Sequence, residues 1–218
     1  MSLQLITTQD GSHTLYIPEM DEKYHASEGA IFECQKIYIE NGLNYVQRKS
    51  VAVFEFGFGT GLNALLAAQY ASMYHVNTVY HSIELYPVSQ DIYTQLNYGQ
   101  ILGDETSYRH INSSPWDTPV QINPYFTLTK IHGDITTYTL RSGLYDVIFF
   151  AGFGPRKQPE VWHKSVLARM YEGLCSRGVL VTYCAQGQFK RDLKEIGFFV
   201  ENIPIPNGKY ETTRAVKL

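Results

Sequence analysis

Cysteine is scarce and scattered in this chain. Among 218 residues there are three, Cys34, Cys175 and Cys184. The set is odd in number and has no CxxC spacing, which argues against a disulfide framework or a zinc cage. Reduced, buried thiols are the expectation, and with them a cytoplasmic setting. Long apolar runs are also missing, since none approaches the roughly 20 residues that a membrane-spanning helix needs. No membrane partner is therefore expected. The opening Met-Ser-Leu-Gln-Leu-Ile-Thr-Thr lacks a basic start ahead of an apolar core, so no secretory signal is expected. Internal repeats, low-complexity tracts and clear linkers are absent. What remains is 44% hydrophobic and 18% charged, a composition and length that suit one packed domain with a modest extension.

The net charge of −3 hides an asymmetry. Residues 141–218 hold 12 Lys or Arg against 7 Asp or Glu, whereas residues 1–140 hold 6 against 14. Unevenly solvated surface accounts for this as well as a basic face for a phosphate-bearing partner does.

Periodicity places the elements. Leu3 to Thr8 and Thr14 to Ile17 flank Asp10-Gly11, the chemistry of a hairpin turn. Ser27 is the expected N-cap of a helix carrying Ala30, Ile31, Cys34, Ile37 and Tyr38, which Asn41-Gly42 should end. Strands are expected at Val51–Phe56, Thr78–Ile83, Phe126–Ile131, Val147–Phe150 and Val179–Tyr183. Helices are expected at Leu62–Tyr74, Pro87–Leu96, Pro159–Leu174 and Phe189–Ile196. Residues 99–123 read as mostly irregular with some helix. Phe198–Ile203 and Thr212–Val216 close the chain over a connection too short for a crossover, so they should pair antiparallel. Alternating strands and helices with apolar runs indicate an α/β fold around a mostly parallel sheet. We expect seven strands with an antiparallel C-terminal hairpin. Residues 1–45 should form a small β-hairpin and helix extension, and residues 46–218 the main domain.

The strongest motif is Phe54-Glu55-Phe56-Gly57-Phe58-Gly59-Thr60-Gly61-Leu62-Asn63. It follows a strand and opens a helix, the context a ligand-cradling glycine loop requires. Two cofactor classes compete. Gly59, Gly61 and Ala64 satisfy G-x-G-x-x-G/A for a dinucleotide, while Glu55, Gly57, Gly59 and Gly61 satisfy Glu-x-Gly-x-Gly-x-Gly for S-adenosylmethionine. Both use an acid after the second strand on the ribose hydroxyls, and Glu84 stands there. Asp134, after the third strand in Ile131-His132-Gly133-Asp134-Ile135, favours the methyl donor, because an acid there can accept the adenine amine. The blander alternative is that Glu84 and Asp134 only cap strand ends. The candidate cofactor residues are Glu55, Gly57, Gly59, Gly61, Asn63, Glu84, Asp134 and Ile135, with no flavin and no metal expected. The architecture that suits them is the Rossmann-like class I methyltransferase fold.

Several stretches together resemble the methyltransferase domain of MnmC-like tRNA-modification enzymes. They are Asp10-Gly11-Ser12, Tyr24-His25 through Gly29-Ala30, Phe54 through Leu65, Ile83-Glu84 with Pro87, and Phe149-Phe150 through Pro155. Gln158-Pro159-Glu160-Val161-Trp162, Leu180 through Ala185, and Pro206 through Ala215 complete the set. The resemblance implies methyl transfer from S-adenosylmethionine to the amine of 5-aminomethyl-2-thiouridine at the tRNA wobble position, with Tyr24 as a further cofactor contact. Some relatives carry a fused flavin-dependent oxidase domain that makes that amine. This chain is too short to include one, so separate amine-forming enzymes are implied as partners, and a monomer or weak oligomer is expected.

Two positions depart from the family pattern. Asp-Ala-Phe-x-Pro at the fourth strand is here Ala151-Gly152-Phe153-Gly154-Pro155, and the ending near Gly-Lys-Arg-Glu-Met is Gly208-Lys209-Tyr210-Glu211-Thr212. The first removes an acid that could take the proton of an attacking ammonium, a function worth about 10²–10⁴-fold. The catalytic acid is thus unassigned. Tyr24, Glu160 and Glu211, and beside them His25 and Tyr183, are weak candidates. Asp146 lies roughly 16 Å back along the strand, near the wrong sheet edge. Phosphate contacts could come from Arg156, Lys157 and Lys209, while Lys190, Arg191 and Lys194 read as a solvated helix face. A methyltransferase acting on another substrate, or a binding module without chemistry, stay open beside the tRNA reading.

Overall fold

The Asp10-Gly11 turn joins strands β1 (Gln4–Thr7) and β2 (His13–Ile17), with Gly11 in the left-handed region at φ 83°. A short β3 (Glu22–Lys23) pairs antiparallel with β2 and completes a three-stranded sheet. The computed structural model describes residues 2–205 and 211–218.

The turn also starts the next helix. Asp10 Oδ2 accepts from the Phe32 amide at 3.0 Å, and Ser12 Oγ accepts from the Ala30 amide at 3.2 Å. These side chains satisfy amide groups that a helix start leaves without partners. Ser27 is not the cap: Gly29 occupies that position, and Ser27 instead accepts from Lys23 Nζ at 2.7 Å. A Cβ at Gly29 would collide with the Asp10 carboxylate, so glycine permits the docking.

Helix α1 (Ala30–Cys34) runs into a π-helical stretch (Gln35–Leu43) and then α2 (Asn44–Val46). The expected stop at Asn41-Gly42 is therefore a continuation. A Cβ on buried Gly42 would stand 3.1 Å from the Phe149 ring and 3.2 Å from the side chains of Val147 and Val181. Glycine here lets the helix lie close against the sheet.

The main sheet has eight strands among the described residues, in the order β10-β11-β9-β8-β4-β5-β7-β6. Its elements are β4 (Ser50–Phe56), α3 (Leu62–Tyr74), β5 (Asn77–Glu84), α4 (Gln90–Tyr93), α5 (Tyr98–Ile101), α6 (Glu105–Ser113), β6 (Pro119–Asn123), β7 (Phe126–His132) and β8 (Tyr145–Phe150). A 3₁₀ turn (Pro159–Trp162), α7 (Lys164–Gly173), β9 (Leu174–Thr182), α8 (Gly187–Ile196), β10 (Phe198–Pro204) and β11 (Glu211–Lys217) follow. Five central strands are parallel, and β10 and β11 form the antiparallel closing hairpin.

The count exceeds the expected seven because β6 adds antiparallel to the β7 edge. Residues 99–123, read as mostly irregular with some helix, hold most of α5, all of α6 and that unexpected strand. The expected helix over Pro87–Leu96 shrinks to α4, and the one over Pro159–Leu174 splits at His163. His163 is extended and caps α7 itself, its Nδ1 accepting from the Ser165 amide at 3.3 Å.

Burial alternates along the central strands. Val53, Val147, Phe149, Val179 and Val181 face α3 and the π-helical stretch; Phe54, Ile148, Phe150 and Leu180 face α7 and α8. Both faces are covered, as a parallel sheet requires.

Asp10→Ala should destabilise the fold by about 1–2 kcal/mol at neutral pH through loss of the cap. Burial alone would raise the Asp10 carboxyl, but hydrogen bonds from Ser12, Phe32 and Thr8 outweigh it and hold it below its ordinary value. The increment is thus present above the unfolded pKa and lost as pH falls through the folded one. Urea midpoints of wild type and variant should differ at pH 7 and draw together as pH falls through the folded Asp10 pKa.

Candidate active site

Chain order reverses beside β4: β5 and β7 build outward on one flank and β8 and β9 on the other. A ligand crevice forms outside the carboxyl ends of strands at such a point. The loop leaving β4 fills it. Gly57, Gly59 and Gly61 have φ of 90°, 51° and 77°, a left-handed run that only glycine adopts at low cost. The Gly57 amide donates to the Ile83 carbonyl at 3.0 Å, and the Gly59 amide donates to Glu84 Oε2 at 3.1 Å. A Cβ on Gly57 would sit 3.1 Å from the Ala151 carbonyl oxygen, and one on Gly59 would sit 3.3 Å from the Tyr24 ring.

Around this loop lies a cavity of about 970 Å³. Glu84, Asp134 and Ile135 form its wall at the ends of β5 and β7; Ala151, Gly152 and Phe153 contribute the end of β8. Tyr24 and His25 close it from the N-terminal sheet, and Glu33, Cys34 and Tyr38 from the helix beyond. The Tyr24 ring meets Phe153 edge-on at 5.1 Å, joining the two sides. Tyr183 donates its hydroxyl to the Gly152 carbonyl at 2.8 Å.

The lining is acidic. Among the described residues, Asp21, Glu22, Glu33, Glu84, Asp134 and Glu160 face it against one lysine, Lys23. That donor set repels a pyrophosphate and suits a cation such as a sulfonium. Burial raises the Glu84 carboxyl against the pull of the Tyr86 and Gly59 amides. Burial also raises the Tyr24 hydroxyl, with the Glu84 charge adding to it. His25 is pushed down to about 4 by burial, so it is neutral at physiological pH; its Nδ1 lies 3.0 Å from Thr14 Oγ1.

A family model for S-adenosyl-L-methionine-dependent methyltransferases matches residues 109–218, half of the chain. The chain belongs to this family. Among curated proteins, it is similar to the tRNA 5-methylaminomethyl-2-thiouridine biosynthesis bifunctional protein MnmC of Cupriavidus necator, at 29% identity over 92% of this chain and 32% of that protein. The same protein from Cupriavidus metallidurans is 27% identical over 96% of this chain and 33% of its own length. The chain therefore spans about a third of the length of these relatives. Among solved structures, MnmC2 from Aquifex aeolicus superposes with a TM-score of 0.74 at 23% identity, covering 98% of this chain and 70% of that one. Spermidine synthase from Thermotoga maritima gives a TM-score of 0.58 at 13% identity, over 100% of this chain and 72% of its own. Both are likenesses of fold.

Within this methyltransferase fold the sequence candidates separate. Tyr24, Gly57, Gly59, Asn63, Glu84, Asp134, Ile135, Ala151 and Glu160 all line the cavity. Glu55 and Gly61 lie behind it. Glu55 is fully buried, with Ser82 Oγ donating to its Oε2 at 2.6 Å and Oε1 unpartnered. Burial pushes this carboxyl up to about 7 despite that hydrogen bond. Gly61 makes room for Asn112, whose Nδ2 would be 2.9 Å from a Cβ there. Glu211 faces Lys190 at 3.3 Å and does not line the cavity. Arg156 and Lys157 are exposed outside it, and Lys157 Nζ donates to the Met20 carbonyl. Lys209 lies outside the described residues. Asp146 pairs with Arg48 at the opposite end of β8. Glu33, Cys34 and Tyr38 were not anticipated, because only docking of their helix turns them inward.

A second unanticipated group supports the loop from behind. Lys130 on β7 is 1% exposed; its Nζ donates to the Asn112 carbonyl at 2.6 Å and lies over the Phe58 and Trp116 rings at 5.2 and 4.9 Å. Burial lowers this ammonium to about 8 from an ordinary 10.5. Between those values the unfolded chain binds more protons, so stability should rise with pH from about 8 to 10 by up to ~1.4 kcal/mol per pH unit. Lys130→Met should abolish that rise relative to wild type in chemical denaturation at stepped pH.

Proposed function

We propose that this methyltransferase acts on the aminomethyl group of a tRNA wobble uridine. The observation that carries this reading is the acidic cavity built on the glycine loop, suited to a cationic donor and an ammonium acceptor alike. The printed names of the Cupriavidus relatives supply the substrate class. Bound S-adenosylmethionine supplies an electrophilic methyl on a sulfonium. Glu84 is placed to accept from ribose hydroxyls, and Asp134 to accept from the adenine amine, with Ile135 packing beside the base. The left-handed glycine backbone leaves room for close approach, and Asn63 lines the cavity at the start of α3. Glu55 is fully buried behind the cavity, where its hydrogen bond with Ser82 joins β4 to β5 ahead of the loop. Tyr24 covers the cavity and excludes water.

In this reading, residues 1–45 are an extension that roofs the site, and 46–218 form the catalytic domain. Arg156, Lys157 and Lys209 meet phosphates, separate enzymes provide the amine, and a tRNA substrate makes the cytoplasm the expected compartment. With a well-aligned amine, proximity supplies much of the rate. A second reading, a different and smaller amine as acceptor, is favoured by Ala151 together with the acidic lining.

Incubation with labelled methyl donor should transfer label to tRNA carrying the aminomethyl group and leave unmodified tRNA blank; no transfer to either would overturn the tRNA reading. Glu84→Ala and Asp134→Ala should each weaken S-adenosylhomocysteine binding about ten- to hundredfold by calorimetry, the loss expected for hydrogen bonds to a charged group. Unchanged affinity in both would remove the cofactor assignment.

A further inference from the structure

Glu33 stands in the cavity wall without a cation. Its Oε2 accepts from the Ala26 amide at 2.8 Å, and no hydrogen bond among the described residues occupies Oε1. It forms no ion pair among the described residues either. Glu33 is half-buried, so its carboxylate is partly withdrawn from water at a cost, and a bound cation would stabilise it. The groups around it aggravate the cost. Glu28 adds negative charge, and Cys34, Tyr38 and Tyr183 respond to the Glu33 charge as well as to burial. Tyr183 in turn donates to the Gly152 carbonyl, next to Ala151, where the pattern this chain resembles has Asp. Glu33 and Ala151 line the same cavity.

We propose that Glu33 receives the ammonium of the methyl acceptor, the task that Ala151 cannot perform. The inference rests on the reading of an amine acceptor, though not on its being tRNA. The acceptor's ammonium donates to Oε1 and passes a proton to it. The freed nitrogen lone pair then bonds to the donor's methyl carbon as the carbon–sulfur bond breaks, its electron pair staying on sulfur. The product leaves as a methylated ammonium, and the proton held by Glu33 passes to solvent. Burial pushes the free carboxyl up to about 7, against the Ala26 amide and with Glu28 assisting, so it can hold a proton near neutral pH.

The test is calorimetry with the 5-aminomethyl-2-thiouridine nucleoside, without donor, on wild type and Glu33→Gln. S-adenosylhomocysteine is titrated in parallel. We expect nucleoside affinity to fall at least tenfold, S-adenosylhomocysteine affinity to stay within twofold, and Ala151→Asp in the Glu33→Gln background to restore part of the loss. Unchanged nucleoside binding overturns the proposal, as does a wild type that binds no amine. Selective loss of S-adenosylhomocysteine binding overturns it too, since Glu33 would then serve the donor's amino group. Should the variant not fold, carboxyl-carbon magnetic resonance on wild type decides: the nucleoside should lower the Glu33 midpoint, and an unmoved midpoint refutes the assignment. Amine binding through Glu33 without tRNA methylation would refute the tRNA reading alone. Undiminished tRNA methylation by Glu33→Gln would refute this inference alone.

Discussion

The hydrogen bond from the Gly59 amide to the Glu84 carboxylate ties the ends of the first two parallel strands of the main sheet together. Strand pairing runs in register to Phe56 and Ile83, and Gly57 adds one more backbone bond to Ile83. Beyond that the chain must turn away from the sheet, and three left-handed glycines accomplish it before α3 begins. The turn is packed against Tyr24 at Gly59, the Ala151 carbonyl at Gly57 and Asn112 at Gly61. Side chains at any of these positions would meet both backbone strain and a neighbour. A crevice lined by backbone follows from that constraint, with the acids of two further strand ends around it.

The roof over that crevice depends on a different economy of hydrogen bonds. The β1–β2 turn spends Asp10, Ser12 and Thr8 on the amide groups at the start of α1. Asn97 fixes the same hairpin from the other side, accepting from the His13 amide at 2.8 Å and donating to the Gly11 carbonyl at 3.0 Å. The hairpin and the helix are therefore placed together, and Tyr24, His25 and Glu33 arrive at the cavity as one unit. Gly42 sets how closely the later part of the helix lies on β8 and β9. The extension contributes walls to the site as well as apolar surface to the core.

Much of this could be read without coordinates because local signals and the fold agreed. The apolar run before Gly57 gave β4, and the Ala- and Leu-rich segment gave α3 with its bounds at Leu62 and Tyr74. Glu84 and Asp134 were legible as cavity acids because topology forces strand ends to converge. What escaped reading is tertiary in origin. The π-helical continuation through Gly42 reverses the usual meaning of Asn-Gly. Its reason is a close approach to Phe149, Val147 and Val181, which lie more than a hundred residues away in sequence. Helices α5 and α6 are short, and the polar face of α6 hides the buried Tyr108 and Ile111. Glu33 resembles any exposed helix acid until the hairpin turns it inward.

Charge separates the two halves of the molecule in a way composition only hinted at. The cationic surplus of residues 141–218 is partly consumed at home. Lys190 faces Glu211, Arg214 faces Glu201, and Lys164 faces Glu195. Arg169 and Lys217 donate to backbone carbonyls. The cavity meanwhile concentrates acids. A polyanion would be attracted by whatever cations remain at the rim and repelled from the interior, while an ammonium would be drawn inward. A flexible aminomethyl arm on a nucleic acid satisfies both demands, because it carries its positive charge ahead of the phosphates. The same field stabilises a sulfonium, so an ammonium acceptor of the kind proposed would be held beside a cationic donor by the surrounding carboxylates. Under the proposed amine reading, an acid near the acceptor nitrogen is more pressing with Ala151 at the end of β8, and Glu33, half-buried in the same wall, is the group proposed for it.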